Sequence, residues 1–318
     1  MKRRDFITTA LAAPMFSMFP DDLSFIKRVP SKRKIEKRSL GKTGEMLSII
    51  GFGGIVVTDV TAKEASQSVK LAIDHGVNYF DVAPSYGNAE LMLGPALEPY
   101  RKNVFLACKT QMRTRDEARV ELEQSLRNLR TGHFDLYQHH AVTTMEDVDI
   151  LLGNGGAMET FLEARKEGKI RFIGFSAHSV EAAMALMDRF DFDTILFPIN
   201  YATWYAGNFG PQVLARAQEK GMGILALKAM AKGPWPQGAN RTKYPKCWYE
   251  PLVKEEDILK GFRFTLSHPV TAAIPSGQPS LFKAALSLHH KITPLHEDEI
   301  EMIKEMGLTQ DPLFKYTG

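Results

Sequence analysis

Residues 78–109 read NYFDVAPSYGNAELMLGPALEPYRKNVFLACK, and this stretch indicates which fold class to expect. Its outer segments, 78–81 and 104–109, are short and apolar, whereas 89–97 carries apolar residues at helical spacing. The order of strand, helix and strand is typical of two parallel strands joined by a crossover helix. The stretch therefore predicts one repeating unit of an α/β fold.

The same alternation continues on both sides of this unit from residue 45 onward, without a break in composition. No GxGxxG motif follows an early strand, which argues against a doubly wound dinucleotide-binding domain. The units instead predict a (β/α)8 TIM barrel, a single domain over 37–318 with long loops on its catalytic face. The predicted strands are 47–52, 78–81, 104–109, 135–140, 170–176, 194–199, 223–227 and 271–274, and the predicted helices are 62–75, 89–97, 115–129, 156–167, 180–189, 211–219 and 255–266.

The composition excludes several classes of function. The 40 basic and 37 acidic residues give a net charge of +3, and much of the excess precedes residue 39, so no nucleic-acid surface is expected. Cys108 and Cys247 lack a CxxC spacing, which argues against a structural zinc site and leaves two ordinary thiols or one bridge. No later segment has the ~18 consecutive apolar residues of a stable membrane span.

The amino terminus has the layout of a bacterial export signal. A basic run, Met1 to Arg4, precedes the apolar stretch Phe6 to Ala13, and Arg3-Arg4-Asp5-Phe6-Ile7 resembles the twin-arginine motif. We expect 1–19 to be a signal segment, 20–36 a polar and basic tether, and the protein to be periplasmic or exported by the twin-arginine machinery. If 1–19 is only a disordered basic tail, the protein is cytoplasmic.

Four polar residues lie where a barrel carries its chemistry, at the carboxyl ends of strands. Asp81 ends the second predicted strand, Tyr86 follows in the next loop, Lys109 ends the third strand and His140 ends the fourth. Because the carboxyl ends of parallel strands meet at one edge of the sheet, we expect these side chains to lie close together.

Their chemistry matches hydride transfer to a carbonyl or from an alcohol. A carbonyl that accepts hydride gains alkoxide character and needs a proton donor, but the pKa of free tyrosine is about 10. A neighbouring Lys109 ammonium would stabilise the Tyr86 phenolate, and Asp81 would hold that ammonium in place. His140 would orient the substrate oxygen.

The motifs around these residues resemble those of the aldo-keto reductase family. The matches are FDVAPSYG at 80–87, DLYQHH at 135–140, RSLGKTG at 38–44 and GKIRFIGFS at 168–176, and the resemblance extends over roughly 37–290. It implies that Tyr86 is the general acid, that Lys109 and Asp81 tune it and that His140 positions the carbonyl. It also implies NADPH or NADH as cofactor, without any metal.

The resemblance further implies a set of cofactor contacts, with NADPH slightly preferred. Ser176 would contact the nicotinamide carboxamide, and the turn after the eighth strand would hold the phosphates at a helix start. The sequence departs from the family pattern at His178, where asparagine is usual, and at Leu227, where an aromatic ring usually stacks on the nicotinamide. The candidate cofactor contacts are Gly53, Ser176, His178, Asn200, Leu227, Lys228, Pro275, Ser276, Gly277 and Lys283.

Aromatic side chains in two loops are candidates for the substrate wall: Trp204, Tyr205, Trp235 and Trp248. The alternative is that these rings pack the loops onto the barrel. The expected partner is a small-molecule carbonyl or alcohol, whose identity these residues do not specify.

Two other functions stay open at this point. His139, His140 and His178 could form a metal site with Asp81 in an isomerase or hydrolase, although adjacent histidines on a strand point to opposite faces. The barrel could also be a nicotinamide-binding sensor or subunit with little turnover.

Overall fold

The computed structural model describes residues 34–318, which begin with an antiparallel hairpin of β1 (Lys37–Ser39) and β2 (Met46–Ser48). Leu40 and Leu47 are fully buried in the cluster that fills the barrel. At the hairpin turn Gly41 has φ of +51°, and a Cβ there would lie 2.3 Å from the backbone nitrogen of Gly223. The hairpin therefore closes the amino-terminal end of the barrel.

Eight parallel strands hydrogen-bond to one another in chain order. The sheet closes on itself because the Gly51 amide donates to the Ala273 carbonyl (3.0 Å) and the Ala273 amide donates to the Ile49 carbonyl (2.9 Å). The predicted (β/α)8 barrel is thereby confirmed. Its strands are β3 (Phe52–Gly53), β4 (Tyr79–Asp81), β5 (Phe105–Thr110), β6 (Phe134–Val142), β7 (Ile170–Ala177), β8 (Thr194–Pro198), β9 (Gly223–Leu227) and β12 (Ala272–Ala273), with a small hairpin of β10 (Ala231–Gly233) and β11 (Glu250–Pro251) in the long loop after β9.

Helices surround the sheet and bury one apolar face against it. The first of them begins with a capping box in which the Thr61 hydroxyl accepts from the Glu64 amide and the Glu64 carboxylate accepts from the Thr61 amide. The helices are α1 (Ala62–His75), α2 (Ala89–Leu97), α3 (Arg115–Asn128), α4 (Met145–Leu152), α5 (Ala157–Lys166), α6 (Val180–Arg189), α7 (Tyr201–Tyr205), α8 (Pro211–Glu219), α9 (Glu255–Ser267), α10 (Pro279–Leu288) and α11 (Glu297–Leu308).

One predicted strand is wrong. The first predicted strand, 47–52, is divided between β2 of the hairpin and β3 of the barrel, because the chain turns at Ile49 to Gly51 to enter the sheet. Most of the tether predicted for 20–36 lies outside the described residues; at its end Ile35 is buried, and its amide donates to the His75 carbonyl (3.0 Å). The predicted signal segment lies outside the described residues.

Two further points concern the predicted absence of a disulfide framework and of a membrane span. Cys108 and Cys247 are both free and buried, so the alternative of a single bridge does not hold. Over residues 34–318, no helix combines the length and the apolar character that a membrane span requires.

Candidate active site

The alternation of side chains along the strands places the predicted residues inside the barrel. In β4 and β5, Tyr79, Phe105 and Ala107 belong to the cluster that fills the interior, and Asp81 and Lys109 follow at the same parity. Both charged residues stand at the carboxyl end of their strand. The strand period therefore directs a carboxylate and an ammonium to the same end of the barrel.

Asp81 and Lys109 form a buried ion pair, with side chains 2% and 1% exposed. The Lys109 ammonium donates to Oδ1 of Asp81 and, at 3.4 Å, to the Val82 carbonyl. Oδ2 of Asp81 accepts from the Tyr79 hydroxyl (3.2 Å) and from Nε2 of Gln138 (3.3 Å). The carboxylate is thus held by hydrogen bonds on both oxygens, which fixes the position of the ammonium.

Tyr86 lies between this ion pair and His140. Nζ of Lys109 is 5.2 Å from the centroid of the Tyr86 ring, and the His140 ring meets the Tyr86 ring edge-on with centroids 5.6 Å apart. The Ser85 hydroxyl is 3.3 Å from Nδ1 of His140. All four residues that the sequence predicts as catalytic therefore meet at one end of the barrel.

The pKa of the Tyr86 phenol differs from the expectation that Lys109 would lower it. Burial raises the pKa of Tyr86, and this effect outweighs the neighbouring Lys109 ammonium, which lowers it, so the net pKa lies above the ordinary value. For Lys109 burial lowers the pKa, but Asp81 and Tyr86 raise it and the net direction is upward. At neutral pH the site therefore holds a protonated phenol beside a charged ammonium.

His140 is a neutral imidazole in this environment. Burial is the largest cause that lowers its pKa, which falls to about 2. The neighbouring Lys109, His178, Arg113 and Lys228 lower it further. Its backbone carbonyl accepts from Nη2 of Arg113 (3.0 Å), which is ion-paired to Asp147. His140 can therefore donate or accept a hydrogen bond at a substrate oxygen without adding charge.

A β-bulge aims the end of β6 at the site. His139 pairs with Phe175 and Val142 with Ala177, so His140 and Ala141 together face a single residue, Ser176. Ala141 has φ of +53°, a left-handed conformation that is rare for a non-glycine residue. Oγ of Ser176 accepts from the Ala141 amide (2.8 Å), so the same serine stabilises the bulge.

The interior offers polar groups that suit a nicotinamide. The Ser176 hydroxyl, which accepts from Ala141, keeps its own proton free to donate. Asn200 is buried; its Oδ1 accepts from the Thr203 amide (2.9 Å), whereas its Nδ2 is a buried donor with no hydrogen-bond partner among the described residues. Two free donors at neighbouring strand ends fit the carboxamide and ribose of a dinucleotide.

The turn after β12 has features of a phosphate site. Ser276 is buried, and its Oγ lies 2.8 Å from Sγ of Cys247. Gly277 packs so closely on Ile55 that a Cβ would lie 2.3 Å from its Cγ2. Helix α10 begins immediately afterwards without a side-chain cap, which leaves amide donors available to an anion.

The remaining predicted cofactor contacts lie around these groups. A Cβ on Gly53 would lie 2.9 Å from Cγ2 of Ile274, which places Gly53 next to the turn that contains Pro275. Leu227 is partly buried against the interior cluster. Lys283 is exposed on α10. The described residues bring together groups that fit a nicotinamide dinucleotide.

His178 lies beside the site in contact with a residue that the sequence analysis missed. Its ring is 5.0 Å from the ring of Phe314, and its pKa is lowered to about 4 by burial and by Lys228. Phe314 also stacks on Phe209 at 5.2 Å. No sequence pattern links residue 314 to this strand end, because the contact joins the chain terminus to the barrel mouth.

The candidate substrate residues separate into two groups. Trp204 packs against His268 with centroids 4.1 Å apart, and Tyr205 packs against Phe264 at 5.7 Å. Phe264 belongs to α9 and His268 directly follows it, so both rings pack on this helix, which favours the alternative that they hold their loop on the barrel. Their contact with substrate stays a prediction.

Trp235 and Trp248 belong to the long loop after β9. Nε1 of Trp235 donates to the Cys247 carbonyl (2.9 Å). Trp248 is 53% exposed and lies 6.2 Å from Phe314 between ring centroids. These two rings border the mouth and stay candidates for contact with substrate.

His139 and His140 point to opposite sides of β6, so they cannot bind the same ligand. The His139 ring stacks on Phe161 at 4.1 Å, outside the strands, whereas His140 contacts Tyr86 inside. Among the described residues, no group of three or more histidine, cysteine, aspartate or glutamate side chains is placed to hold a metal ion. The metal-site alternative therefore has no ligand set in this part of the chain.

Comparison with known sequences identifies relatives. The sequence profile of the Aldo/keto reductase family matches residues 49–306. L-galactose dehydrogenase of Arabidopsis thaliana is 27% identical over 216 residues, covering 63% of this chain and 67% of that protein. Aldo-keto reductase YhdN of Bacillus subtilis strain 168 is 32% identical over 166 residues, covering 46% of this chain and 48% of that protein.

A solved structure shares the fold. The holo form of aldo-keto reductase AKR11C1 from Bacillus halodurans superposes with a TM-score of 0.68 at 22% identity, covering 86% of this chain and 96% of that one. At this identity the likeness concerns the fold alone. The family profile covers most of the chain, including all four residues of the cluster. The chain therefore belongs to the aldo/keto reductase family and is an NAD(P)H-dependent oxidoreductase of carbonyl compounds.

Proposed function

We propose that the protein reduces an aldehyde or ketone with NADPH and that Tyr86 donates the proton. The observation that carries this proposal is the position of the Lys109 ammonium, which contacts the Asp81 carboxylate and lies 5.2 Å from the centre of the Tyr86 ring. A bound nicotinamide supplies the hydride, which no amino-acid side chain can donate.

The protein's own side chains supply the proton and stabilise the charges that develop during the reaction. Tyr86 donates its proton to the carbonyl oxygen as that oxygen becomes an alkoxide, a contribution of typically 10²–10⁴ in rate. Lys109 stabilises the phenolate that is left, and Asp81 keeps Lys109 charged. His140, neutral because its pKa is about 2, donates a hydrogen bond that orients the carbonyl.

The raised pKa of Tyr86 sets how the rate in each direction depends on pH. A phenol that stays protonated at neutral pH is ready to act as an acid, whereas alcohol oxidation needs the phenolate as a base. The rate of carbonyl reduction should therefore be undiminished at neutral pH, and the rate of alcohol oxidation should rise in alkaline solution.

Three groups of residues would hold the dinucleotide. Ser176 and Asn200 would bind the nicotinamide end through their free donors, beside the apolar surface of Leu227. The turn of Pro275, Ser276 and Gly277 and the amino terminus of α10 would hold the phosphates, next to Gly53. The preference for NADPH rests on Lys283, an exposed cation one turn into α10 that can meet a 2'-phosphate.

The test combines binding and turnover in the full chain. We expect NADPH to bind more tightly than NADH, as measured by the change in tryptophan fluorescence, and at least one member of a broad panel of aldehydes and ketones to be reduced. Binding without turnover across the panel would indicate a nicotinamide-binding sensor or subunit. Absence of both, in folded protein, would refute the proposed function.

We also propose that the protein is exported to the periplasm by the twin-arginine machinery. The support is the sequence Arg3-Arg4-Asp5-Phe6-Ile7 followed by a short apolar stretch, which lies outside the described residues. This route carries folded proteins and therefore suits an enzyme that binds its cofactor before export. In cell fractionation, Arg3→Lys with Arg4→Lys should move the protein from the periplasm to the cytoplasm, and an unchanged distribution would contradict export.

A further inference from the structure

A second lysine, Lys228, lies at the barrel mouth, where residues 34–318 give it no counter-ion. It follows β9 directly and has φ of +69°, a left-handed conformation that is uncommon for lysine. Its ammonium lies 4.8 Å from the ring centroid of Trp248 and 5.3 Å from that of Tyr249. Among the described residues, no carboxylate is within ion-pair distance of Lys228 and no group hydrogen-bonds to its ammonium.

This lysine gives the site an unbalanced positive charge. Lys109 is matched by Asp81, and Arg113 is matched by Asp147 at 2.9 Å. The charge of Lys228 contributes to the lowered pKa of both His140 and His178, so these two imidazoles are neutral and supply no compensation. Aromatic faces attract a cation but do not replace the water that a partly buried ammonium loses.

We propose that Lys228 binds an oxyanion, the carboxylate or phosphate of a bound molecule, close to the reacting carbonyl. This inference rests on the proposed function, because it concerns the molecules that occupy the same site. An oxyanion would supply the missing counter-charge and accept charge-assisted hydrogen bonds from the ammonium. A strained backbone at Lys228 is consistent with a side chain held in position for binding.

The position of Lys228 favours the substrate as the source of the oxyanion. Lys228 directly follows β9, so it stands at the same carboxyl end of the barrel as Asp81 and Lys109, the ion pair beside Tyr86. The dinucleotide phosphates have a separate candidate site at Ser276 and the start of α10. The enzyme would then prefer carbonyl compounds that carry a carboxylate or phosphate. The dinucleotide is the second source of the same chemistry, and the experiment separates the two.

The proposal has a defined pH dependence. Burial and then Lys109 lower the pKa of Lys228 to about 8, while Cys247 raises it. The other titratable groups around it are His140, His178 and Tyr249; the pKa of His140 is about 2 and that of His178 about 4, so both imidazoles stay neutral, and burial raises the pKa of Tyr249. Burial also raises the pKa of the Cys247 thiol. An oxyanion binds the charged ammonium, so its affinity is complete below about pH 8 and falls above it, by up to tenfold per pH unit.

The test uses matched pairs of probes and variants. The probes are 3- and 4-carboxybenzaldehyde, each compared with the carbamoylbenzaldehyde of the same geometry, which is neutral. Lys228→Met removes the charge, and Lys228→Arg keeps it at every accessible pH. The matched control is Lys232→Met in the same loop, because the Lys232 ammonium already has a partner in Glu250 at 2.7 Å.

We expect the wild type to prefer at least one carboxylate probe in kcat/KM over its neutral counterpart. Lys228→Met should reduce that ratio at least tenfold, and Lys228→Arg should retain it above pH 8. Lys232→Met should leave it unchanged. The ratio responds to charge and therefore separates oxyanion binding from a structural role of the side chain.

Binding measurements identify the source and keep the test independent of turnover. Tryptophan fluorescence, to which the adjacent Trp248 contributes, reports binding of benzoate against benzamide, and of NADPH, to each variant. Loss of benzoate binding in Lys228→Met identifies the substrate as the source, and loss of NADPH binding identifies the dinucleotide phosphate. If neither affinity changes, the proposal is refuted, even where turnover is normal. Binding of NADPH without turnover in the wild type would indicate the sensor or subunit instead of the reductase and would leave these titrations valid.

Discussion

Replacing Asp81 by asparagine tests the buried ion pair on which the site depends. Asp81 and Lys109 are 2% and 1% exposed, so the Asp81→Asn variant would leave a buried ammonium without its counter-charge. Removal of one partner from a buried pair typically costs about 3–5 kcal/mol. The asparagine also offers one acceptor where the carboxylate now receives hydrogen bonds from Tyr79 and Gln138 on Oδ2 and from Lys109 on Oδ1. We therefore expect a loss in the upper part of this range.

The assay is urea unfolding of the full chain followed by circular dichroism, with kcat measured on the same preparations. A lower midpoint at an unchanged m-value reports lost stability of the native state. Catalysis should fall as well, because the pKa of Lys109 loses the contribution of Asp81 that raises it, while the burial that lowers it persists. A partly neutral amine no longer stabilises the Tyr86 phenolate.

Two controls complete this experiment. The exposed pair of Lys70 and Asp74 is 2.9 Å apart, and Asp74→Asn should leave the midpoint unchanged. The double variant Asp81→Asn with Lys109→Met removes both charges, so it should regain part of the stability while staying inactive. If Asp81→Asn is as stable as Asp74→Asn, the ion pair does not have the energetic role assigned to it.

Three further predictions follow from the same structure. Because the pKa of Tyr86 is raised above its ordinary value of 10.0 and that of His140 is about 2, kcat/KM for reduction of a neutral carbonyl should stay level between about pH 6 and 9, and a break near pH 7 would contradict the assignment. His139→Leu should retain activity, since within the described part of the chain neither ring nitrogen has a hydrogen-bond partner, whereas His140→Leu should lose 10²-fold or more in kcat; equal losses would refute this distinction. Lys246→Met removes the two hydrogen bonds that its ammonium donates to the carbonyls of Val56 (3.1 Å) and Thr58 (2.5 Å), which follow β3. Limited proteolysis of the loop 228–254 should therefore become faster. An unchanged cleavage rate would show that other contacts hold the loop.

Local signals were sufficient for much of the fold. Apolar periodicity and end signals predict α1 at Ala62–His75 and α6 at Val180–Arg189 with the bounds that the structure has. Sequence analysis missed α10 and α11, which follow the last barrel strand. The predicted strand 47–52 spans parts of two strands, because a continuous apolar run does not show where the chain leaves a hairpin and enters a barrel.

The catalytic cluster was predictable because each member stands at or just after a strand end, and closure of the barrel brings strand ends together. The same strand parity could have identified Gln138, which lies two residues before His140 and donates to Asp81. The bulge at Ala141 and the contact of Phe314 with His178 depend on backbone conformation and on distant pairing. Neither of these leaves a pattern in the sequence around it.

The most direct test of the central claim is the rate of carbonyl reduction by Tyr86→Phe in single turnover, with NADPH affinity measured in parallel. The substitution removes only the phenolic oxygen, so the protein should fold and bind NADPH as the wild type does. If Tyr86 is the proton donor, the rate of the chemical step should fall by 10²-fold or more. A rate within a few-fold of the wild type, at the same NADPH affinity, would show that another group supplies the proton.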